Sequence, residues 1–129
     1  MTGDRPRAVV ADDDAVIRRL LGLLLQREGF DVHAAVDGEQ ALRLVRDVVP
    51  QVVFLDAMMP VVDGYDACRR IREDVAARVQ PVIVMVTGAG QAEDRERATA
   101  AGVDAFVTKP FSPSGLSAQL REIAARVGE

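Results

Sequence analysis

Three carboxylates, a hydroxyl and an ammonium follow apolar runs in this chain. Asp12 and Asp13 come after AVVA, Asp56 after VVFL, Thr87 after VIVMV, and Lys109 just after AFV. Gathered in a fold, the acids would repel: two unit charges about 4 Å apart repel by roughly 4 kcal/mol at an effective dielectric of about 20. Lys109 alone cannot neutralise three carboxylates. Protons or a hard divalent cation must relieve the repulsion, and Mg²⁺, for which Mn²⁺ can substitute, takes oxygen ligands and keeps waters free to exchange for phosphate oxygens. In such a site a carboxylate can attack phosphorus and become an aspartyl phosphate. The Thr hydroxyl and Lys ammonium would then share the charge on the transferring group.

Positioning these groups requires regular elements, and the chain alternates β-like apolar runs with helical patterns. The runs are Ala8 to Ala11, Val32 to Val36, Val52 to Leu55, Val82 to Val86 and Ala105 to Val107. Between the first two, Ile17, Leu20, Leu21 and Leu24 repeat with helical spacing, and Gly29 is placed to end the helix. Leu23 and Leu25 fall outside that stripe and are expected to leave apolar surface for a partner. Asp14 is expected to cap the first helix, and Asp37 the second, with Gln40 reaching back. Asp63 is expected to cap the third or shape a turn with Gly64. In the last helix Ser112 is the N-cap, Pro113 sits in the first turn, and Leu116, Leu120, Ile123 and Val127 share one face. The helix EDRERATAA offers little beyond Ala98 and Ala101 to anchor it, and two glycines precede it in GAGQ.

Five near-continuous apolar strands alternating with five helices predict a doubly wound α/β domain, its parallel sheet covered on both faces. Ligands of such sheets bind beyond the carboxyl ends of the strands, where strand order reverses. All five chemical groups fall on that edge.

Composition narrows the function classes. At 129 residues and 49% hydrophobic content, residues 1–129 are expected to form one domain, with residues 1–6 as a flexible tail. A net charge of −4 and a pI near 5.0 provide no basic footprint for direct nucleic-acid binding. No apolar leader or membrane-length segment is visible, so a cytoplasmic location is expected. The single cysteine, Cys68, excludes an internal disulfide and reads as a small core residue. His33, beside Asp31 on a half-polar strand, reads as a surface residue and not a phosphodonor.

Four spaced stretches, VVADDDAVIR, FLDAMMPVVDGY, VTGA and FVTKPF, resemble the receiver domain of a two-component response regulator over essentially the whole chain. The resemblance implies the flavodoxin-like (βα)5 fold with strand order 2-1-3-4-5. It makes Asp56 the phosphoacceptor, with Asp12, Asp13, Asp56 and the backbone carbonyl of Met58 holding Mg²⁺. Thr87 and Lys109 would contact the phosphoryl group, Phe106 would be the aromatic whose rotamer reports the state, and Lys109-Pro110 would be a cis peptide. The implied partner is a histidine kinase or histidine phosphotransfer protein. Output would run through the face formed by the fourth helix, last strand and last helix, which could also self-associate.

Such a domain is not expected to turn over an external substrate, although it would catalyse its own phosphorylation and dephosphorylation. Moving an equilibrium from 1:99 to 99:1 takes about 5.5 kcal/mol, and bonds to charged groups contribute roughly 1.5 to 3 kcal/mol each. Phosphoryl contacts to Thr87 and Lys109 therefore suffice to flip a local conformation. Met58 cannot orient a hydrolytic water, whereas Ala89 leaves the approach to the phosphoryl group open, so lifetime is not fixed by these residues. Phe106 lacks the hydroxyl of a tyrosine. Three other classes compete: an interaction-only pseudo-receiver, a haloacid-dehalogenase-like phosphatase, and a flavodoxin-like cofactor binder. The phosphatase would need an acid where Met58 stands, and ADDD would repel the anion a phosphate loop should hold.

Overall fold

The apolar runs become strands, and the third, fourth and fifth extend further toward their carboxyl ends than hydropathy alone indicates. The computed structural model describes residues 5–74, 80–88, 92–109 and 112–127, with the backbone alone at 92–95. Its strands are β1 (Arg7–Ala11), β2 (Asp31–Ala35), β3 (Val52–Asp56), β4 (Val82–Gly88) and β5 (Ala105–Lys109). Its helices are α1 (Ala15–Arg27), α2 (Gly38–Val48), α3 (Gly64–Glu73), α4 (Ala92–Ala101) and α5 (Pro113–Val127). Asp56, Thr87 and Lys109 thus belong to their strands instead of following them. Val36 drops out of β2 and is exposed.

All pairings are parallel, as the alternating pattern predicts, and the order is β2-β1-β3-β4-β5, as the resemblance implies. Strand residues alternate between two cores. Val9, Val53, Leu55, Ile83 and Met85 face the side that receives Tyr65, Cys68 and Ile71 of α3 and Ala98 of α4. Ala8, Val10, Phe54, Val84 and Val107 face Leu21 and Leu25 of α1 and Leu116, Leu120 and Ile123 of α5. Burial on both faces explains why these strands read as continuous apolar runs.

Local signals set the helix starts. Asp14 accepts from the N–H groups of Val16 and Ile17, Asp37 from Gln40, Asp63 from Asp66, and Ser112 Oγ from Gly115. Gln40 does reach back, but its Oε1 accepts from Val36, one residue before the cap. Gly29 follows α1 at φ +94°, a left-handed conformation that glycine adopts freely.

Two expectations are corrected. Leu25 is fully buried because it lies four residues after Leu21 and shares its face, while Leu23 is exposed as predicted. The expected tail stops short of Pro6, whose carbonyl accepts from Asp31 N–H at 2.9 Å; residues 1–4 lie outside the described residues.

The end of the sheet opposite the candidate chemistry is tied by charge. Arg72 donates to the carbonyls of Gly102 and Pro81 and pairs with Asp104 at 2.5 Å; Asp104 also accepts from Ile83 N–H. One guanidinium thereby joins α3 to the starts of β4 and β5. His33 Nε2 lies 3.5 Å from Asp31 Oδ2 at the surface, and Cys68 is a buried core thiol.

At the C-terminus of α2, Val49 takes φ 53°, ψ 66°, and its N–H donates to the Val45 carbonyl. A β-branched residue in this region costs about 1–2 kcal/mol, and the side chain is exposed. Val49→Gly is expected to stabilise the protein by about 1 kcal/mol, read as a higher denaturant midpoint with an unchanged slope.

Candidate functional site

β1 and β3 lie side by side at the centre of the sheet, where the strand order reverses, so their carboxyl ends open into one crevice. Asp12 follows β1 directly, its N–H donating to the Ala35 carbonyl at 3.2 Å. Its Oδ1 accepts from Asp14 N–H, and its own carbonyl accepts from Arg18 of α1 at 2.8 Å. Asp56 closes β3, and its Oδ1 accepts from Met58 N–H at 3.2 Å. Asp13 is exposed beside them. Carboxylate oxygens of Asp12, Asp13 and Asp56 all lie within 4.8 Å of one another.

Lys109, at the end of β5, reaches across this crevice. Its Nζ lies 3.3 Å from Asp12 Oδ2 and 3.7 Å from Asp56 Oδ1. The contact to Asp12 is an ion pair without hydrogen-bond alignment, which leaves Asp12 Oδ2 buried and accepting no hydrogen bond. One ammonium against three carboxylates leaves net negative charge. Burial pushes the Asp56 carboxyl from its ordinary 3.8 up to about 6; the Met58 N–H and Lys109 pull it down and the Asp12 charge raises it. A buried oxygen without a donor, in a cluster of three carboxylates within 4.8 Å of one another, fits a hard divalent cation.

The other sequence candidates sit around this centre. Thr87 is buried in β4, and its hydroxyl donates to the Gly88 carbonyl at 2.8 Å, so contact with another acceptor requires it to leave that carbonyl. Phe106 in β5 pairs with Met85 in register and packs half-buried against the core on the α3 and α4 side. The Met58 side chain is 79% exposed. Pro110, Ala89 and Gly90 lie outside the described residues.

Gly64 proves to be a spacing requirement. A Cβ there would lie 2.3 Å from the Asp56 carbonyl oxygen, and Gly64 N–H donates to the Ala57 carbonyl at 3.2 Å. Gly38 likewise admits Val62: a Cβ would stand 2.0 Å from its carbonyl oxygen. Sequence reasoning missed the backbone of the intervening loop, where Val61 adopts φ 71° and Val62 N–H donates to the Pro60 carbonyl. That is a γ-turn of the strained hand, carrying an exposed β-branched residue that no sequence rule would place there.

Comparison with known proteins agrees with this geometry. The family model described as the response regulator receiver domain matches residues 8–121. The chain belongs to that family. It is a receiver domain of the two-component type. It is 39% identical over 125 residues to the ycf27 protein of Guillardia theta, covering 97% of this chain and 48% of that protein. It is 36% identical over 121 residues to the DNA-binding dual master transcriptional regulator RpaA of a Synechocystis species, covering 94% of this chain and 50% of RpaA. The receiver domain therefore spans about half the length of these curated relatives. Among solved structures, chemotaxis response regulator CheY4 of Vibrio cholerae superposes with a TM-score of 0.83 at 28% identity, covering 93% of this chain and 99% of CheY4. Among the described residues no helix is long and apolar enough to cross a membrane.

Proposed function

We propose that this receiver domain is a phosphorylation-dependent switch whose acceptor is Asp56. The observation that carries the reading is the convergence of Asp12, Asp13 and Asp56 within 4.8 Å, with Lys109 Nζ 3.7 Å from the Asp56 carboxylate, at the switch point of the sheet. The donor is a phosphohistidine on a histidine kinase or phosphotransfer protein. An Asp56 oxygen attacks phosphorus, the new O–P bond forms as the donor's N–P bond breaks, and the electron pair returns to the imidazole, which takes up a proton.

Asp12, Asp13, Asp56 and the Met58 carbonyl would hold Mg²⁺, which supplies charge neutralisation for the carboxylates and the phosphoryl oxygens. Lys109 pairs with one phosphoryl oxygen, exchanging its contact with Asp12 for one with the transferred group. Thr87 leaves the Gly88 carbonyl to donate to another. Those exchanges link the acceptor to β4, β5 and the surface they share with α4 and α5, where a protein partner or a second copy docks. No external substrate is turned over.

Intact-protein mass after incubation with acetyl phosphate tests the reading. A single Mg²⁺-dependent phosphate adduct that is lost in Asp56→Asn is expected; no adduct on the wild type would leave an interaction-only module. Metal binding has its own signature. At tenfold excess over its dissociation constant, Mg²⁺ is expected to stabilise the protein by about 1.4 kcal/mol. Chelation should reverse the gain and Asp12→Asn should abolish it, as followed by thermal melting.

A further inference from the structure

α4 is thinly anchored. Among its described side chains only Ala98 and Ala101 are buried, and a cavity of about 390 Å³ opens between it and α3, lined by Val61, Asp63, Tyr65, Arg69, Arg97 and Ala100 among others. Arg97 spans this gap. Its Nη2 donates to Asp63 Oδ2 at 3.1 Å, and its guanidinium carbon lies 4.6 Å from the centre of the Tyr65 ring. Both contacts fall on the first residues of the loop-to-helix junction behind the acceptor. Asp63 caps α3 through its other oxygen, and Gly64 is seated on the Asp56 carbonyl with no room for a Cβ. A shift of the Asp56 backbone therefore moves Asp63, and with it the partner of Arg97.

We infer that Arg97 is a latch that holds α4 to the loop-to-helix junction after β3, closed while the Asp56 carboxylate is free and opened when that carboxylate is phosphorylated. The inference rests on the acceptor role of Asp56 and adds the means by which a change there reaches α4. Arg97 is 58% exposed on its side chain, so the latch is weak. Weakness suits the role: one exposed ion pair with one cation–π contact biases a local equilibrium by about fivefold, which a phosphoryl group can overcome. By linkage, whatever opens the latch must tighten binding of the phosphoryl group by the same factor.

Amide hydrogen exchange on the unphosphorylated, metal-free protein tests the closed latch. Arg97→Ala is expected to speed exchange across residues 96–101 about fivefold while leaving α1 and α5 unchanged. Asp63→Asn keeps the capping oxygen and removes the charge, so it should speed exchange in the same segment, and combining the two variants should add little. Arg97→Lys keeps the ion pair without the planar fork over Tyr65 and should recover part of the protection. Unchanged exchange in Arg97→Ala, or fully additive effects in the double variant, would overturn the latch. Beryllofluoride with Mg²⁺, a phosphoryl mimic, tests its opening: Arg97→Ala should bind it about fivefold more tightly than wild type, and equal affinity would overturn the coupling. A wild type that takes no beryllofluoride would instead defeat the acceptor reading, leaving the exchange result to judge the contact itself.

Discussion

Asp56→Asn is expected to make the metal-free protein more stable than wild type by up to about 3 kcal/mol at pH 8, while abolishing phosphorylation. The carboxyl is pushed from 3.8 in the unfolded chain up to about 6 in the fold, chiefly by burial. Between those values the native state binds more protons than the unfolded state, so wild-type stability falls as pH rises through the window and is flat above it. Each tenfold change in proton affinity is worth about 1.4 kcal/mol, which sets the ceiling. Asn has the same shape and no charge to desolvate. Its advantage should shrink below pH 6 and vanish below pH 4. Denaturant melts in chelator across that range measure it, and a variant less stable than wild type at pH 8 would show that Lys109 already compensates the buried charge. A buried carboxylate that costs stability is expected where function, and not packing, sets the residue type.

Gly64→Ala is expected to destabilise the protein by about 3 kcal/mol. The added carbon would lie 2.3 Å from the Asp56 carbonyl oxygen and 2.9 Å from Met85 Sδ. The first of these is backbone, so relief requires α3 to back away from β3. Because the displaced carbonyl belongs to Asp56, one of the three clustered carboxylates, metal affinity should fall together with stability. Gly22→Ala provides the contrast: in mid-α1 its Cβ would meet only Val32 Cγ1 at 3.7 Å, an ordinary contact. That variant should gain about 0.5–1 kcal/mol from helix propensity. Chemical denaturation of the two should thus give opposite signs. A neutral Gly64→Ala would mean the β3–α3 junction yields easily, and would undercut its use as a rigid link to Arg97.

Much of the site was legible because its signals are local. An apolar run followed by a carboxylate marks the carboxyl end of a buried strand, and three such ends carried Asp12, Asp56 and, with a hydroxyl, Thr87. Asp14, Asp37 and Asp63 each bond a backbone N–H two or three residues away, so the short sequence window contains the whole interaction. Leu25 lies off the Ile17, Leu20, Leu21 and Leu24 stripe yet is buried, because α1 packs against both the sheet and α5 and its apolar face is correspondingly wider. What stayed hidden depends on distant partners. Arg72 finds Asp104, and Arg97 finds Asp63, more than 30 residues away, with no periodicity to announce either pair. Gly64 reads as a turn glycine beside Asp63, yet it and Gly38 are each set by a backbone that passes from elsewhere in the fold, at Asp56 and Val62. Val49 and Val61 contradict local preference outright, since β-branched residues avoid positive φ; only the fold around them makes the conformation visible.

The most direct test of the central claim is the position of the phosphoryl bond. After reaction with acetyl phosphate and Mg²⁺, borohydride reduction converts an aspartyl phosphate to homoserine, and peptide mass mapping locates it. Homoserine at residue 56 alone is the predicted result. Homoserine at residue 12 or 13, or none at any residue, would contradict the assignment of Asp56 as the acceptor.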